Sequence, residues 1–385
     1  MTGSDRAELR AGFIPLVDSA ILVAAADKGF AAEEGIALEL VREVSWSNIR
    51  DRLALGHFDV AHCLAPLAVA VSLGLDYARV PMVVPLALNL NGNSIIVSAA
   101  LHAALKDHCD GELDDPRVSG AALARVIASR KEAGAEKLTF AMTFPFSTHN
   151  YQLRFWIAAA GIDPDEDMRL IVLPPPYMVD SLARGHVHGC CVGAPWPSVG
   201  VEAKLGTILH FGTDIVASCP EKVLAVREAW ADGNRETLLR LVRACTRAAA
   251  WCTAPEHRGE LAQLLSSPHR LGVSAEVIKR TLDGRLVVDA DGRVRTHPRY
   301  LALDPPLSVR PDPKHAVWLY AQMVRWKQAQ FTSAIAAQAA AVYRPDLFDA
   351  AQPAVASAEN DGIGAFAGPA FDPDNVPAHL MAWSR

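Results

Sequence analysis

The chain has 385 residues, 51% of them hydrophobic, more than one compact core usually absorbs, so two α/β lobes are expected. Against 37 Lys and Arg stand 43 Asp and Glu, a formal charge of −6 that offers no electrostatic footprint for nucleic acid or an anionic membrane. No stretch approaches the ~20 uninterrupted apolar residues of a membrane span, and seven cysteines without a C-x-x-C pair indicate neither a disulfide framework nor a zinc site.

In chain order, the first predicted strand is LRAGFIPL (9–16), followed by a helix from about Ser19 to Gly29, a Gly-Ile step and the strand IALELV (36–41). The apolar run from Phe13 to Ala26 is broken by Pro15 and Asp18, and Asp5 and Glu8 spoil a basic leader. A secretory signal is therefore not expected, and a cytoplasmic protein with reduced thiols is. A helix through SWSNIRDRLALG feeds the strand inside LALGHFDVAHCLAP (53–66). After a crossing near Asn91-Gly92, residues 107–135 read as a polar excursion. LTFAMTFPF (138–146) is the next strand, HNYQLRFWIAAAG (149–161) a helix, and MRLIVL (168–173) a strand. The stretch PPPYMVDSLARG reads as a helix entering the strand of LARGHVHGCCVGAP (182–195). A return crossing is expected near Ser218-Pro220. From Ala229 the chain reads mainly helical, as in RETLLRLVRACTRAAAWC, and packs back on the first lobe. The last thirty or so residues, rich in Ala, Pro, Asp and Gly, read as an extended strap.

Two of these segments echo each other. In LALGHFDVAHCLAP and LARGHVHGCCVGAP, Leu, Ala, Gly, His, Ala and Pro recur in register without gaps, each time as a helix end, a Gly stop and a strand. Strand–helix–strand–helix–strand, twice, implies two parallel sheets with right-handed crossovers and a cleft at their strand ends. The division follows from the crossings: residues 1–92 and 219–385 form lobe I, and residues 93–218 form lobe II.

GFIPLVDSA, SWSNIRDRLALGHFD, LNLNGNSI, FPFSTHNYQLRFWIAAAGIDP, LPPPYMV, VGAPW and PEKVL together resemble the substrate-binding proteins of nitrate and bicarbonate ABC transporters, the NrtA/CmpA-like family. The likeness continues through KHAVWLYAQMVRWKQ, YRPDLFDAA and FDPDNVPAHL, nearly the whole chain. It implies an α/β, two-lobed, type II periplasmic-binding-protein-like fold with the ligand cleft between lobes. Transporter members are exported and usually lipid-anchored; without those features the chain is most similar to the cytoplasmic nitrate/nitrite sensor NasS of the NasS–NasT system. That likeness implies nitrate or nitrite as ligand, an RNA-binding antiterminator of NasT type as partner, no direct nucleic-acid contact and no cofactor. The alternative is the substrate-binding component of a nitrate ABC transporter.

Nitrate is a planar monoanion that accepts hydrogen bonds and donates none, so its site needs converging donors. The resemblance places Trp46, Asn93, His149, Gly193 and Lys222 at the family's binding positions. Trp46, beside the N-cap candidates Ser45 and Ser47, could wall the site or be an ordinary packing tryptophan. His149 follows Ser147 and Thr148 at a helix start, where the dipole favours an anion; a local capping role is the plain alternative. Lys222 falls after Pro220 in the first turn of an expected helix, where a bound anion would relieve its clash with the dipole. Lys222 in place of a carboxylate matches the nitrate-type members. Asn93 could donate its amide or serve the Asn-Gly turn, and Gly193 could offer its N–H or simply end a strand.

His186, His188 and Cys190 alternate along one strand face, but the echo has His57, Asp59 and Ala61 there, so a structural reading is preferred to a metal. The vicinal Cys190-Cys191 pair has no adjacent acid–base partner, and no phosphate-loop motif appears, so no catalytic activity is expected.

Overall fold

A computed structural model describes residues 6–76, 78–352 and 362–383. The first sheet takes β1 (Ala7–Phe13), β2 (Ile36–Arg42), β3 (Val60–Leu64) and β4 (Met82–Asn91) from the N-terminal stretch. The chain then crosses to a second sheet of β5 (Asn93–Ser98), β6 (Thr139–Met142), β7 (Arg169–Val172), β8 (Gly189–Gly193) and β9 (Gly206–Phe211). It returns through the short β10 (Val216–Ala217) to β11 (Pro220–Arg227), which lies between β3 and β4.

The two copies of the echo occupy equivalent places. β3 runs parallel to β1, with β2 parallel on the other side; β8 runs parallel to β6, with β7 beyond. Each set is completed by an antiparallel strand that belongs to a crossing: β11 against β3, and β5 against β8. In both copies the preceding helix stops at a left-handed glycine, Gly56 (φ 79°) and Gly185 (φ 70°), a backbone state that favours glycine.

Both sheets are covered on both faces, which is why their strands read as apolar runs rather than alternations. Along β11, Val223 and Ala225 join one core while Leu224 and Val226 join another. Along β8, Cys191 faces one core, Cys190 and Val192 the other. The helix Arg235–Thr253 packs on Ala20–Asp27 of the first lobe, through Leu238, Leu241, Val242 and Cys245.

Three expectations are corrected. Residues 107–135 are not an excursion: Pro116–Glu132 is a helix, N-capped by Asp115, whose side chain accepts from Arg117 N–H. Pro116 at its first position was the available signal, since an unneeded N–H is lost there. The helix packs on Thr148–Ala159, where a Cβ on Gly120 would sit 3.1 Å from Ala160 Cβ. Lys222 lies on a strand, not in a first helical turn; the helix after it begins at Glu228. The C-terminal segment carries a short strand, β15 (Gly364–Ala365), pairing with β10, and a helix Val376–Ala382. Residues 353–361 of the expected strap lie outside the described residues. The hairpin β12 (Arg285–Val287) and β13 (Val294–Thr296) and the strand β14 (Leu301–Ala302), which pairs with β4, make a third connection. Ile208 N–H of β9 donates to Val288 O beside the hairpin. Among the described residues, no helix is long and apolar enough to cross a membrane.

Candidate functional site

The crossings bring two helix starts and three strand ends together. Ser45 caps the helix Trp46–Ala54 by accepting from Asn48 N–H, which fixes Trp46 as its first residue. Ser147 caps Thr148–Ala159 in the same way through Asn150 N–H, and fixes Thr148 and His149. Asn93 opens β5, Gly193 closes β8 directly opposite it, and Lys222 stands near the start of β11.

All five residues expected from the sequence meet. Lys222 Nζ lies 5.5 Å from the Trp46 ring centroid, within cation–π range. It pairs with Glu221 Oε1 at 2.6 Å and with Asp18 Oδ2 at 3.0 Å. Glu221 Oε2 accepts from Asn93 Nδ2 at 2.8 Å and from the Thr148 hydroxyl. Glu221 Oε1 is 3.5 Å from His149 Nδ1. A Cβ on Gly193 would lie 3.6 Å from both Asn93 Oδ1 and Asp18 Oδ2, so its backbone forms part of the same wall. Trp46 is 1% exposed, and Asn93, His149 and Lys222 are 0% exposed, so the lobes are closed over the cluster. Two bonds between the lobes seal it: Val17 N–H to Ala194 O at 2.9 Å and Trp196 Nε1 to Pro15 O at 3.2 Å.

Electrostatics divide the cluster. Burial works to raise the Asp18 pKa, but Lys222 and His62 outweigh it and hold the carboxyl at about 2. His62 is kept neutral chiefly by burial. Its Nε2 faces Asp18 Oδ1 at 2.9 Å while Nδ1 accepts from Ile14 N–H, which assigns the ring proton to Nε2. Burial, then Lys222, push the His149 pKa well below its ordinary value. The Thr143 hydroxyl lies 3.1 Å from Nδ1 of the neutral ring, and Glu221 Oε1 lies 3.5 Å from the same nitrogen. Among the described residues, Trp46 Nε1, His149 Nε2 and Gln152 Nε2 have no hydrogen-bond partner although all are buried. Two unused donors, an unpaired imidazole nitrogen and one ammonium in a sealed cluster are suited to a small acceptor-rich anion, since each unpaired buried donor carries a desolvation cost that such a ligand removes.

A family model described as the NMT1-like family matches residues 2–266. The nitrate/nitrite binding protein NrtA of Synechococcus elongatus is 31% identical over 404 residues, covering 98% of this chain and 87% of that one. The chain belongs to the NMT1-like family, among its NrtA-like members. The crystal structure of the periplasmic nitrate-binding protein NrtA from Synechocystis PCC 6803 has the same α/β periplasmic-binding-protein-like fold. It matches with a TM-score of 0.89 at 28% identity, covering 98% of this chain and 99% of that one. The nitrate import ATP-binding protein NrtC of Synechocystis sp. is 34% identical over 349 residues, 90% of this chain but 50% of NrtC.

In this NrtA-like chain, sequence reasoning missed five residues of the cluster: Asp18, His62, Thr148, Gln152 and Glu221. Asp18 had a signal, as a carboxylate inside the otherwise apolar run 13–26; a buried acid needs a partner. Lys222, on a strand, meets no helix dipole, and the paired carboxylates of Asp18 and Glu221 hold it instead.

His186 and His188 lie ahead of β8, which begins at Gly189, so they do not share a strand face with Cys190 as expected. His188 Nδ1 accepts from Thr139 N–H at 3.1 Å. Among the described residues, no group of three or more His, Cys, Asp or Glu is placed to hold a metal ion. Burial pushes the Cys190 thiol up to about 12 and the Cys191 thiol well above its ordinary value, so neither is a thiolate nucleophile at neutral pH. Six of the seven cysteines are buried and Cys109 is half-buried. One thiol per chain should therefore react with maleimide in the native protein and the rest only after denaturation; several reacting at once in native protein would contradict the burial.

Proposed function

We propose that the chain is a non-catalytic receptor that closes two lobes around a nitrate-type oxyanion. The observation that carries this reading is the sealed cluster in which the Lys222 ammonium lies beside Trp46, in company with His149 and Gln152 from the other lobe. Trp46, His149 and Gln152 each hold an unpaired buried nitrogen there. The names of the NrtA relatives support nitrate and nitrite as the ligand class. The same relatives favour a transport role, as the substrate-binding component of an ABC importer delivering the anion to its permease. The narrower reading from the sequence is a cytoplasmic sensor that restrains an antiterminator of NasT type until the anion binds. It uses the same site and hinge, because closure can report occupancy as readily as it can present cargo. Fractionation of the native protein and a pull-down with the antiterminator, with and without millimolar nitrate, separate the two. A cytoplasmic protein whose complex is weakened by nitrate supports the sensor; an exported one supports transport.

The test of the ligand is a calorimetric titration with nitrate, nitrite and bicarbonate. Nitrate is expected to bind. Trp46→Phe, which keeps the wall but loses the N–H, should weaken it about tenfold, and His149→Ala about ten- to a hundred-fold, since a hydrogen bond to a charged group is worth ~1.5–3 kcal/mol. Thermal melts of each variant exclude global damage. No heat with nitrate or nitrite at millimolar concentration would overturn the ligand assignment.

A further inference from the structure

Glu221 already takes the bonds that an incoming oxyanion needs. Its planar carboxylate is fully buried. It accepts from Lys222 Nζ, Asn93 Nδ2 and the Thr148 hydroxyl, and it faces His149. A carboxylate offers acceptor oxygens in one plane, as nitrate does, so the two compete for one donor set. Asn93 turns its amide nitrogen to Glu221 and leaves Oδ1 unpaired, and Gln152, whose Oε1 accepts from the same Asn93 nitrogen, leaves its Nε2 unpaired. With Asp18 anionic and bonded to the same ammonium, a second free carboxylate and an anion cannot share one lysine without strong repulsion.

From these contacts we infer that Glu221 is a built-in competitor for the anion site: binding displaces its carboxylate from Lys222, Asn93 and Thr148, and the displaced group, still buried, takes up one proton. The step balances: a proton from solvent and the anion enter together, one O–H bond forms on Glu221, and the net charge inside the cluster is unchanged. The inference rests on the cleft being an oxyanion site and names the residue that regulates it.

The groups facing Glu221 leave it as the one that titrates. Lys222, on its own strand, is held charged by Asp18 and Glu221 against burial. Asp18 stays anionic and His62, on β3, stays neutral. On the helix Thr148–Ala159, His149 is kept neutral by burial. Cys191 on β8, Cys219 before β11 and Tyr343 are all pushed upward by burial first, and so remain protonated. Burial also raises the Glu221 pKa, which brings its protonation toward working pH.

The experiment is a calorimetric titration of the full chain with sodium nitrate at pH 6, 7 and 8, in two buffers of different ionisation enthalpy. In the parent, about one proton should be taken up per anion, and affinity should fall about tenfold per pH unit once Glu221 is ionised in the free protein. In Glu221→Gln, a neutral isostere, proton uptake should vanish and affinity should be flat with pH, at least tenfold tighter than the parent at pH 8. Glu221→Ala provides a second readout that needs no nitrate: formate, a planar carboxylate, should raise its melting temperature more than the parent's. Parent affinity independent of pH and buffer overturns the inference. So does a pH dependence that persists in Glu221→Gln, which would place the proton on His149. If the parent ignores nitrate while formate stabilises Glu221→Ala, the competitor role stands and the nitrate reading falls. If neither formate nor nitrate stabilises Glu221→Ala more than the parent, the inference is wrong.

Discussion

Lys222→Met is expected to lower folding stability by about 3–5 kcal/mol at pH 7.5, the usual cost of breaking a buried ion pair by removing one partner. Methionine keeps most of the stem that packs beside Trp46 and removes only the charge. Asp18 and Glu221, both buried, then face each other without the ammonium that now separates them at 3.0 and 2.6 Å. For a chain of this length unfolding as one unit, the loss corresponds to roughly 4–6 °C in Tm. Its pH dependence identifies the cause. In the parent, Asp18 has a folded pKa of about 2, below its ordinary 3.8, so its contribution is present above pH ~4 and is lost as pH falls toward 2. In the variant the carboxylates lose their chief opposing charge and their folded pKa values rise above the unfolded ones. Such groups bind protons more tightly when folded, so the variant, with both carboxylates raised, should regain more stability than the parent as pH falls from 8 to 5, the parent gaining only through Glu221. Adding Asp18→Asn should recover part of the loss, and Lys222→Glu should be worse than Lys222→Met. An unchanged denaturation midpoint for Lys222→Met across this range would mean that water, not the ammonium, compensates the carboxylates.

That prediction was not available from the sequence, and the reason is local. The stretch PEKVLAVR fits a helical start after proline as well as a buried strand, because its apolar residues are contiguous. Read as a helix, Lys222 is a replaceable cation at a helix start and Glu221 its solvated neighbour. The strand is irregular there: its register against β4 shifts between Pro220 and Lys222 and again between Lys222 and Val223. Consecutive residues of a regular strand point to opposite faces, but a bulge re-aims one of them. This is how Glu221 and Lys222 both reach the cluster, and no pattern of residue types announces a bulge. The parallel sets β2-β1-β3 and β7-β6-β8 were legible, because a duplicated helix–Gly–strand unit survives as a sequence echo. The sheets were expected to be parallel throughout, and the antiparallel β5 and β11 that the crossings insert were not read. That Trp46, Asn93, His149, Gly193 and Lys222 lie together was expected from the family resemblance; spacing alone left each with a plain structural alternative. Glu221 had neither a motif nor a spacing of its own, and Gln152 read as one more polar residue on a helix.

The crossings give the second large expectation. Asn91→Ala should cost about 2–4 kcal/mol and loosen the closed form, because this one side chain joins all three connections between the lobes. It sits on the first crossing with φ 62°, in the left-handed region that asparagine tolerates and alanine resists. Its Oδ1 accepts from Cys219 N–H on the return crossing at 2.9 Å, its Nδ2 donates to Arg299 O ahead of β14 at 2.9 Å, and its own N–H donates to Cys219 O at 2.8 Å. Alanine would leave a buried N–H and a carbonyl unpaired and strain the backbone as well. Asn91→Gly separates the two effects, since glycine accepts the positive φ but makes neither side-chain bond. It should fall between alanine and the parent. Asn91→Asp keeps the acceptor for Cys219 but turns an oxygen toward Arg299 O, so it should resemble alanine. The checks are denaturant midpoints, together with the radius of gyration in the absence of ligand, which should rise as the lobes part. Nitrate affinity should weaken by the factor by which the closed form is depleted, because a ligand that binds only one conformer sees its affinity scaled by that conformer's population. A variant within 1 °C of the parent in Tm, and equally compact, would show that the paired backbones of β4, β11 and β14 hold the crossings by themselves. The closed geometry around Lys222 would then owe nothing to Asn91.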